Sequence, residues 1–287
     1  MKRYRQIYQQ AQNLSQLEPT AIDDLLWKLI CYAPKIPLRL AQQELLQKAI
    51  PFQLSVNDPY FSKSQLTFNG FRWGNGDKKV LLTHGWSSKA ADFSALIEQL
   101  LLIEGIEIIA FDAPGNGSSQ AELSNLILFT EAIKEIITHF GKPSIVIGHS
   151  LGAMANIIAM QQLQIVPDVL ISIAPVIRLK ALFCNMMERV NIPKEIQENF
   201  FTSFQSTFKR PATDYDLDTY YNFDQHLEHW IAYDEDDLVV DSRYLSAFLR
   251  DRPWIKSVNY KGAGHERLIK HTPLLNELIS NYFPITL

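Results

Sequence analysis

The 287-residue sequence contains little of what marks several common classes of protein. It has only two cysteines, Cys31 and Cys184, and their separation fits neither a metal-binding nor a redox motif, so we expect two free thiols in a reducing compartment. The sequence also lacks an excess of positive charge, because it has 27 Lys and Arg against 31 Asp and Glu, which gives a formal net charge of -4. The broad basic surface that nucleic-acid binding requires is therefore not expected.

Long apolar runs are missing as well. No stretch approaches 18 uninterrupted apolar residues, which argues against a transmembrane helix. The basic N-terminus is not followed by the apolar segment of a secretory signal, so we predict a cytoplasmic protein. Residues 25–32 are apolar enough for peripheral contact with a membrane surface, but packing of a helix onto the core explains them better.

Short apolar runs instead alternate with longer segments of helical periodicity. This alternation predicts an α/β fold with a mostly parallel central sheet and helices on both faces. The predicted strands are 80–82, 106–111, 145–147, 169–173 and 230–233. The predicted helices between and after them are 93–102, 123–140, 151–163, 243–249 and 274–283.

Three departures from this alternation suggest how the chain is divided. Residues 1–60 read as an N-terminal helical extension, and an antiparallel edge hairpin should follow from residue 64 to the glycine turn at 74–76. The α/β core should comprise 61–176 and 227–287. The aromatic-rich, helix-patterned stretch 177–226 interrupts it and is predicted to be a helical cap insertion.

A candidate nucleophile lies where a predicted strand meets a predicted helix. The sequence Gly148-His149-Ser150-Leu151-Gly152 matches the G-x-S-x-G nucleophile elbow in the strand–turn–helix context that this motif requires. The glycines allow close approach of neighbouring backbone. The elbow would expose the Ser150 hydroxyl at the carboxyl edge of the sheet, and the Leu151 N–H would point to where an oxyanion forms.

A serine hydroxyl needs a base to accept its proton. In enzymes with this elbow the acid and then the histidine follow the serine along the chain. The candidates for the base are therefore His226, His229, His265 and His271. His226 and His229 precede or begin a strand, whereas His265 lies in a glycine-rich loop before the last helix. We therefore predict His265 as the base, with His271 as the alternative.

The acid is expected on the loop after the strand at 230–233, where several carboxylates lie close together. The loop resembles the H-G-x-x-D-x-x-V-P segment of the α/β-hydrolase superfamily, and alignment on Val240 makes Asp237 the acid. Tyr233 and Asp234 replace the His and Gly of that segment. Because these departures leave the register open, Asp234 and Asp236 remain alternatives.

Two further segments extend the resemblance, which spans about residues 65–285. Thr83-His84-Gly85-Trp86 resembles the superfamily's H-G-x loop, which implies that the Trp86 N–H is a second oxyanion donor and that His84 orders the loop. Residues 112–119 resemble the D-x-P-G-x-G-x-S segment, with Asn116 where a histidine is frequent.

The resemblance implies a serine hydrolase of the esterase or lipase type. Ser150, Asp237 and His265 would cleave a small-molecule acyl ester through an acyl-enzyme, with no cofactor and no metal. A thioesterase, lactonase, C–C hydrolase or acyltransferase could use the same triad, and a non-catalytic ligand-binding protein of this fold is the alternative from another class. The predicted substrate pocket includes Trp86, His149, Phe183, Met186 and Met187.

Overall fold

The computed structural model describes residues 2–14 and 18–283, which contain one eight-stranded sheet in the order β1-β2-β4-β3-β5-β6-β7-β8. The strands are β1 Ile50–Asp58, β2 Ser64–Gly74, β3 Lys78–Thr83, β4 Ile106–Phe111, β5 Ile145–His149, β6 Val169–Ile173, β7 Glu228–Tyr233 and β8 Lys256–Asn259. Strands β4, β3, β5, β6, β7 and β8 are parallel, whereas β1 and β2 join antiparallel at one edge. The predicted mostly parallel α/β sheet is confirmed.

Helices connect the strands and cover both faces. They are α1 Lys2–Ala11, α2 Pro19–Cys31, α3 Leu40–Gln47, α4 Ser94–Leu100, α5 Leu126–Phe140, α6 Leu151–Leu163, α7 Leu179–Glu188, α8 Lys194–Phe208, α9 Leu217–Tyr220, α10 Ser242–Arg250 and α11 Thr272–Tyr282. Successive residues of β3 are buried on opposite faces of the sheet. Leu81 joins the core beneath α5 and α6, and Leu82 joins the core beneath α4 and α11. A parallel strand buried on both faces produces such continuous apolar runs.

The N-terminal region departs from its predicted helical character. Residues 50–58 form strand β1, which pairs antiparallel with β2, so the prediction of helices through residue 60 is wrong for its last part. The alternation of Phe52, Leu54 and Val56 with polar residues has the period of two that indicates a strand. The edge hairpin is therefore formed by β1 and β2, and the turn at 74–76 leads to β3, which is separated from β2 by β4.

Helix α2 packs into the interior. Apart from Lys28, its residues from Leu25 to Cys31 are buried, and the Trp27 ring lies 4.9 Å from that of Phe200 on α8. These apolar side chains therefore face protein, and both cysteines are free thiols. No helix in the described ranges is long and apolar enough to cross a membrane.

The segment between β6 and β7 contains α7, α8 and α9. It has the helical character predicted for 177–226, and it lies against α2 through the aromatic contacts of Trp27. The division of the chain into extension, core and cap stays a prediction.

The sheet order has a reversal that positions a site. From β3 the chain crosses to β4 on one side and then returns past β3 to β5 on the other. Such a switch point leaves a crevice outside the carboxyl ends of the two strands, where ligands of open α/β sheets bind. The loop after β3 and the turn after β5 meet there.

Candidate active site

Ser150 occupies the tight turn between β5 and α6. Its φ of 53° lies in the left-handed region, which is costly for a residue with a side chain. The flanking glycines are required by close approach, since a Cβ at Gly148 would lie 2.5 Å from the Cα of Ala153 and one at Gly152 would lie 2.2 Å from the backbone oxygen of His84. The turn therefore has the geometry expected of the elbow.

Three of the predicted side chains form one hydrogen-bonded chain. The His265 Nε2 lies 2.9 Å from the Ser150 Oγ, and the His265 Nδ1 lies 2.6 Å from the Asp237 Oδ2. The side chains of His265 and Asp237 are 8% and 2% exposed. With Nδ1 protonated and donating to the carboxylate, the Nε2 lone pair can accept the serine proton.

The Asp237 carboxylate is held by the backbone of its own loop. Its Oδ1 accepts hydrogen bonds from the Val239 N–H at 2.7 Å and the Val240 N–H at 3.2 Å. These two donors leave Oδ2 turned toward His265, so each carboxylate oxygen has a separate task.

The two alternative acids, Asp234 and Asp236, make other contacts. Asp234 Oδ2 accepts a hydrogen bond from the Gly264 N–H at 2.7 Å and thereby braces the loop that carries the histidine. Burial would raise the pKa of Asp234, but the backbone N–H donors, first that of Gly264, bring the pKa below its usual value. The Asp236 side chain is 64% exposed and faces Lys261 at 3.9 Å. Of the three candidates, only Asp237 bonds to the His265 ring.

The other candidate histidines lie elsewhere. His226 is exposed and pairs with Asp224. His229 is buried in β7, where it bonds to Ser172, and burial lowers the pKa of His229 to about 3. His271 directly precedes α11. In the described part of the chain, none of these three bonds to the candidate nucleophile.

Among the residues that the structure describes, two backbone N–H groups at the switch point have no hydrogen-bond partner. Trp86 follows β3 and Leu151 is the first residue of α6, so both lie at the switch point. Within the described ranges, neither N–H donates a hydrogen bond to another residue. Both therefore remain available to an incoming oxygen, as an oxyanion hole requires.

The loop bearing Trp86 is fixed by side chains around it. The His84 Nε2 accepts from the Ala113 N–H at 2.9 Å, so its Nδ1 carries the proton and donates to the Gly85 carbonyl at 2.6 Å. Burial lowers the pKa of His84 and keeps the ring neutral. The Asn116 Oδ1 accepts from the Ser87 N–H at 3.1 Å. These contacts give His84 the loop-ordering position that was predicted for it.

His149 contacts the backbone of the loop that carries His265. Its Nε2 lies 3.0 Å from the backbone oxygen of His265, and the two rings are 5.0 Å apart. Burial, reinforced by the nearby His265, lowers the pKa of His149 to about 3. A neutral His149 can therefore donate from Nε2 and hold the His265 backbone.

A cavity of about 600 Å³ opens beside the serine. Trp86, His149, Phe183 and Met186 line it, as predicted, but Met187 does not. Met187 is wholly buried in the core, because successive helical residues are turned by about 100° and α7 presents the face of Phe183 and Met186 to the cavity.

The sequence did not reveal the whole lining. The N-terminal region also contributes, through Tyr4, Ile30, Cys31, Ile36, Pro37, Arg39 and Gln42. No pattern in those residues indicated the contact, since they are remote in sequence from the elbow. The sequence analysis also missed Lys89. Its position three residues after Trp86, on the loop that follows β3, could have indicated that it lies near the site. In the described residues, no group of three or more His, Cys, Asp or Glu is arranged to hold a metal ion.

Comparison with solved structures shows similarity in fold. An esterase from Pyrococcus furiosus is 19% identical, with 86% of this chain and 98% of that chain covered and a TM-score of 0.59. A thermophilic esterase from Thermogutta terrifontis is 17% identical over 80% of this chain and 97% of its own, with a TM-score of 0.55. The thioesterase domain from the curacin biosynthetic pathway is 15% identical over 80% and 99%, with a TM-score of 0.54.

Sequence comparison is more specific. No curated protein matches the chain. The model of the alpha/beta hydrolase family matches residues 80–274, a range that runs from β3 through the elbow and the histidine loop into α11. With about two thirds of its length matched and the eight-stranded sheet described above, the chain belongs to the α/β-hydrolase family.

Proposed function

We propose that the protein is a serine hydrolase that cleaves carboxylic esters through an acyl-enzyme on Ser150. The observation that carries the proposal is the continuous hydrogen-bonded chain from the Ser150 Oγ through the His265 ring to Asp237, at the wall of a cavity large enough for a small molecule.

The first half of the reaction transfers the acyl group to the enzyme. The His265 Nε2 takes the proton of Ser150 as Oγ bonds to the ester carbonyl carbon, and the Trp86 and Leu151 N–H groups stabilise the oxyanion. When the tetrahedral intermediate collapses, the bond from carbon to the alcohol oxygen breaks. The protonated His265 gives its proton to that oxygen, and the alcohol leaves.

The second half repeats these steps with water. His265 removes a proton from a water molecule, the resulting oxygen attacks the acyl carbon, and the bond to the Ser150 Oγ breaks. The proton returns to Oγ and a carboxylic acid is released. Asp237 stabilises the imidazolium in both halves and keeps the ring in the productive tautomer.

A thioester, a lactone or an amide would pass through the same intermediates, and an acyltransferase would replace the water with another nucleophile. The likeness to a thioesterase domain keeps thioesters in the substrate panel. Apolar side chains from α7 and α8 form part of the cavity wall beside Ser150, which suits an acyl ester with a hydrocarbon group.

A fluorophosphonate probe tests the proposal directly. We expect the wild-type protein to be labelled at Ser150, and the Ser150→Ala and His265→Ala variants to lose labelling. Asp236→Asn is the matched control, because this exposed carboxylate does not bond to the His265 ring in the structure. A folded wild-type protein that is neither labelled nor active on acyl esters of any chain length would be a binding protein, and the proposal would fail.

A further inference from the structure

The cavity beside Ser150 has a charge opposite to that of the whole protein. Its lining includes five basic side chains and only two acidic ones, whereas the chain carries 27 basic and 31 acidic residues. The basic ones are Arg39, Lys89, Arg189, Arg267 and Lys270, and the acidic ones are Asp92 and Glu266. This excess favours an anion over a neutral or cationic ligand.

Two of the five basic side chains lie together where the loop after β3 meets the end of the loop that carries His265. Lys89 Nζ lies 3.5 Å from the Asp92 Oδ1, and Lys270 Nζ lies 3.6 Å from the same oxygen. Two ammonium groups thus share one carboxylate oxygen. Within the described residues, neither ammonium group donates a hydrogen bond to any acceptor.

The Asp92 carboxylate does not hydrogen-bond directly to either lysine, because both of its oxygens accept hydrogen bonds from other side chains. Its Oδ1 also accepts from the Gln42 Nε2 at 2.9 Å, and its Oδ2 accepts from the Ser88 Oγ at 2.8 Å. Burial would raise the pKa of Asp92, but the Ser88 hydrogen bond and the two lysines bring it below its usual value. The carboxylate therefore stays ionised, and each of its oxygens already accepts a hydrogen bond.

Lys89 is the more telling of the two lysines. Its side chain is only 7% exposed, but its Nζ keeps some solvent access, so a ligand in the cavity can reach it. A lysine retained only for a structural ion pair is normally bonded directly to its partner, at about 2.7–2.9 Å. An anion in the cavity would find this ammonium group, together with that of Lys270, as hydrogen-bond donors.

Another part of the cavity wall is apolar. It includes Ile30 from α2, Leu182 and Phe183 from α7, and Phe204 and Phe208 from α8. Burial of hydrocarbon there would stabilise a bound ligand. One cavity thus combines an apolar part of its wall, the proposed nucleophile and an excess of basic side chains.

We propose that the substrate is an ester that also carries a carboxylate, with the carboxylate bound by Lys89 and Lys270 and the hydrocarbon packed against the apolar wall. A carboxylate is an anion that two neighbouring ammonium groups can bind. The inference rests on the proposed function, since it concerns the substrate of the same serine.

Two matched pairs of chromogenic or phenolic esters test it. The first compares mono-4-nitrophenyl glutarate with 4-nitrophenyl pentanoate, which carries no charge on the acyl group. The second compares the butyrate ester of 4-hydroxyphenylacetate with that of its methyl ester, so the charge lies on the leaving group. We expect kcat/KM to favour the anion at least tenfold in one pair, about the value of one charge-assisted hydrogen bond.

Variants identify the groups responsible. Lys89→Met should abolish the preference, and Lys270→Met, at a side chain 36% exposed, should weaken it without threatening the fold. Asp92→Asn removes the neutralising charge and should increase the preference. Lys142→Met is the matched control, because Lys142 also forms a single 3.5 Å ion pair, with Asp168, but does not line this cavity.

The outcomes separate the two proposals. If neutral esters are hydrolysed and neither pair favours the anion, the inference fails and the serine hydrolase stands. If no ester is cleaved but Ser150 is labelled by fluorophosphonate, protection by 4-phenylbutyrate over 4-phenylbutanamide supports the inference and equal protection overturns it. If Ser150 is not labelled and no ester is cleaved, both proposals fail.

Discussion

Replacing Asp237 with Asn should do more than remove a charge, because the surrounding backbone dictates how the new amide must lie. The Val239 and Val240 N–H groups donate to the Asp237 Oδ1, so the amide oxygen should take that position. The amide NH₂ would then face the His265 Nδ1, which now lies 2.6 Å from the Asp237 Oδ2.

A donor facing Nδ1 reverses the tautomer of His265. Nδ1 must become an acceptor, the ring proton moves to Nε2, and Nε2 then donates to the Ser150 Oγ instead of accepting its proton. Catalysis through this wrong tautomer typically falls by about 10⁴-fold in kcat, which corresponds to about 5.5 kcal/mol of activation free energy.

The measurement is kcat for a 4-nitrophenyl ester together with the rate of fluorophosphonate labelling, at equal thermal stability of the variants. Asp236→Asn removes a carboxylate one residue away that is exposed, and it should retain nearly full activity. An Asp237→Asn enzyme with more than about a tenth of the wild-type kcat, or equal losses in both variants, would refute the assignment of Asp237.

Three further predictions concern stability. Gly152→Ala should lower the free energy of unfolding by about 2 kcal/mol or more, because the 2.2 Å contact of its Cβ with the His84 oxygen outweighs a helix-propensity gain of about 1 kcal/mol; a more stable variant in urea unfolding would contradict this. Trp27→Ala should cost about 3–5 kcal/mol in the same assay, since the buried ring packs on three phenylalanines of α8; a loss under about 1 kcal/mol would mean that α2 does not support that helix. Burial, opposed by Arg178, raises the pKa of Asp216 to about 6, so the native state binds this proton more tightly than the unfolded state and stability falls as pH rises from about 4 to 6. Asp216→Asn should therefore gain melting temperature relative to wild type over that range, and parallel pH profiles would count against it.

Local pattern was enough for the elements that carry the chemistry. Strands β4, β5 and β6 are short apolar runs between helical segments. The elbow motif is likewise a pattern of adjacent residues, although the atoms that crowd Gly152 belong to the distant Thr83 and His84. The register of the acidic loop was different, since Asp234, Asp236 and Asp237 are equivalent in composition. Only the folded loop distinguishes the one that meets His265 from the one that braces Gly264.

The sequence by itself determined the alternation of strands and helices from β3 to β7, the turn that holds Ser150, and a histidine loop late in the chain, because periodicity and turn chemistry are properties of adjacent residues. Tertiary structure alone decided which residues line the cavity beside Ser150. Arg39 and Gln42 meet Lys89 and Lys270 at one cavity although they come from separate regions of the chain. Contacts between such distant residues depend on how the sheet and helices pack, which no local pattern records.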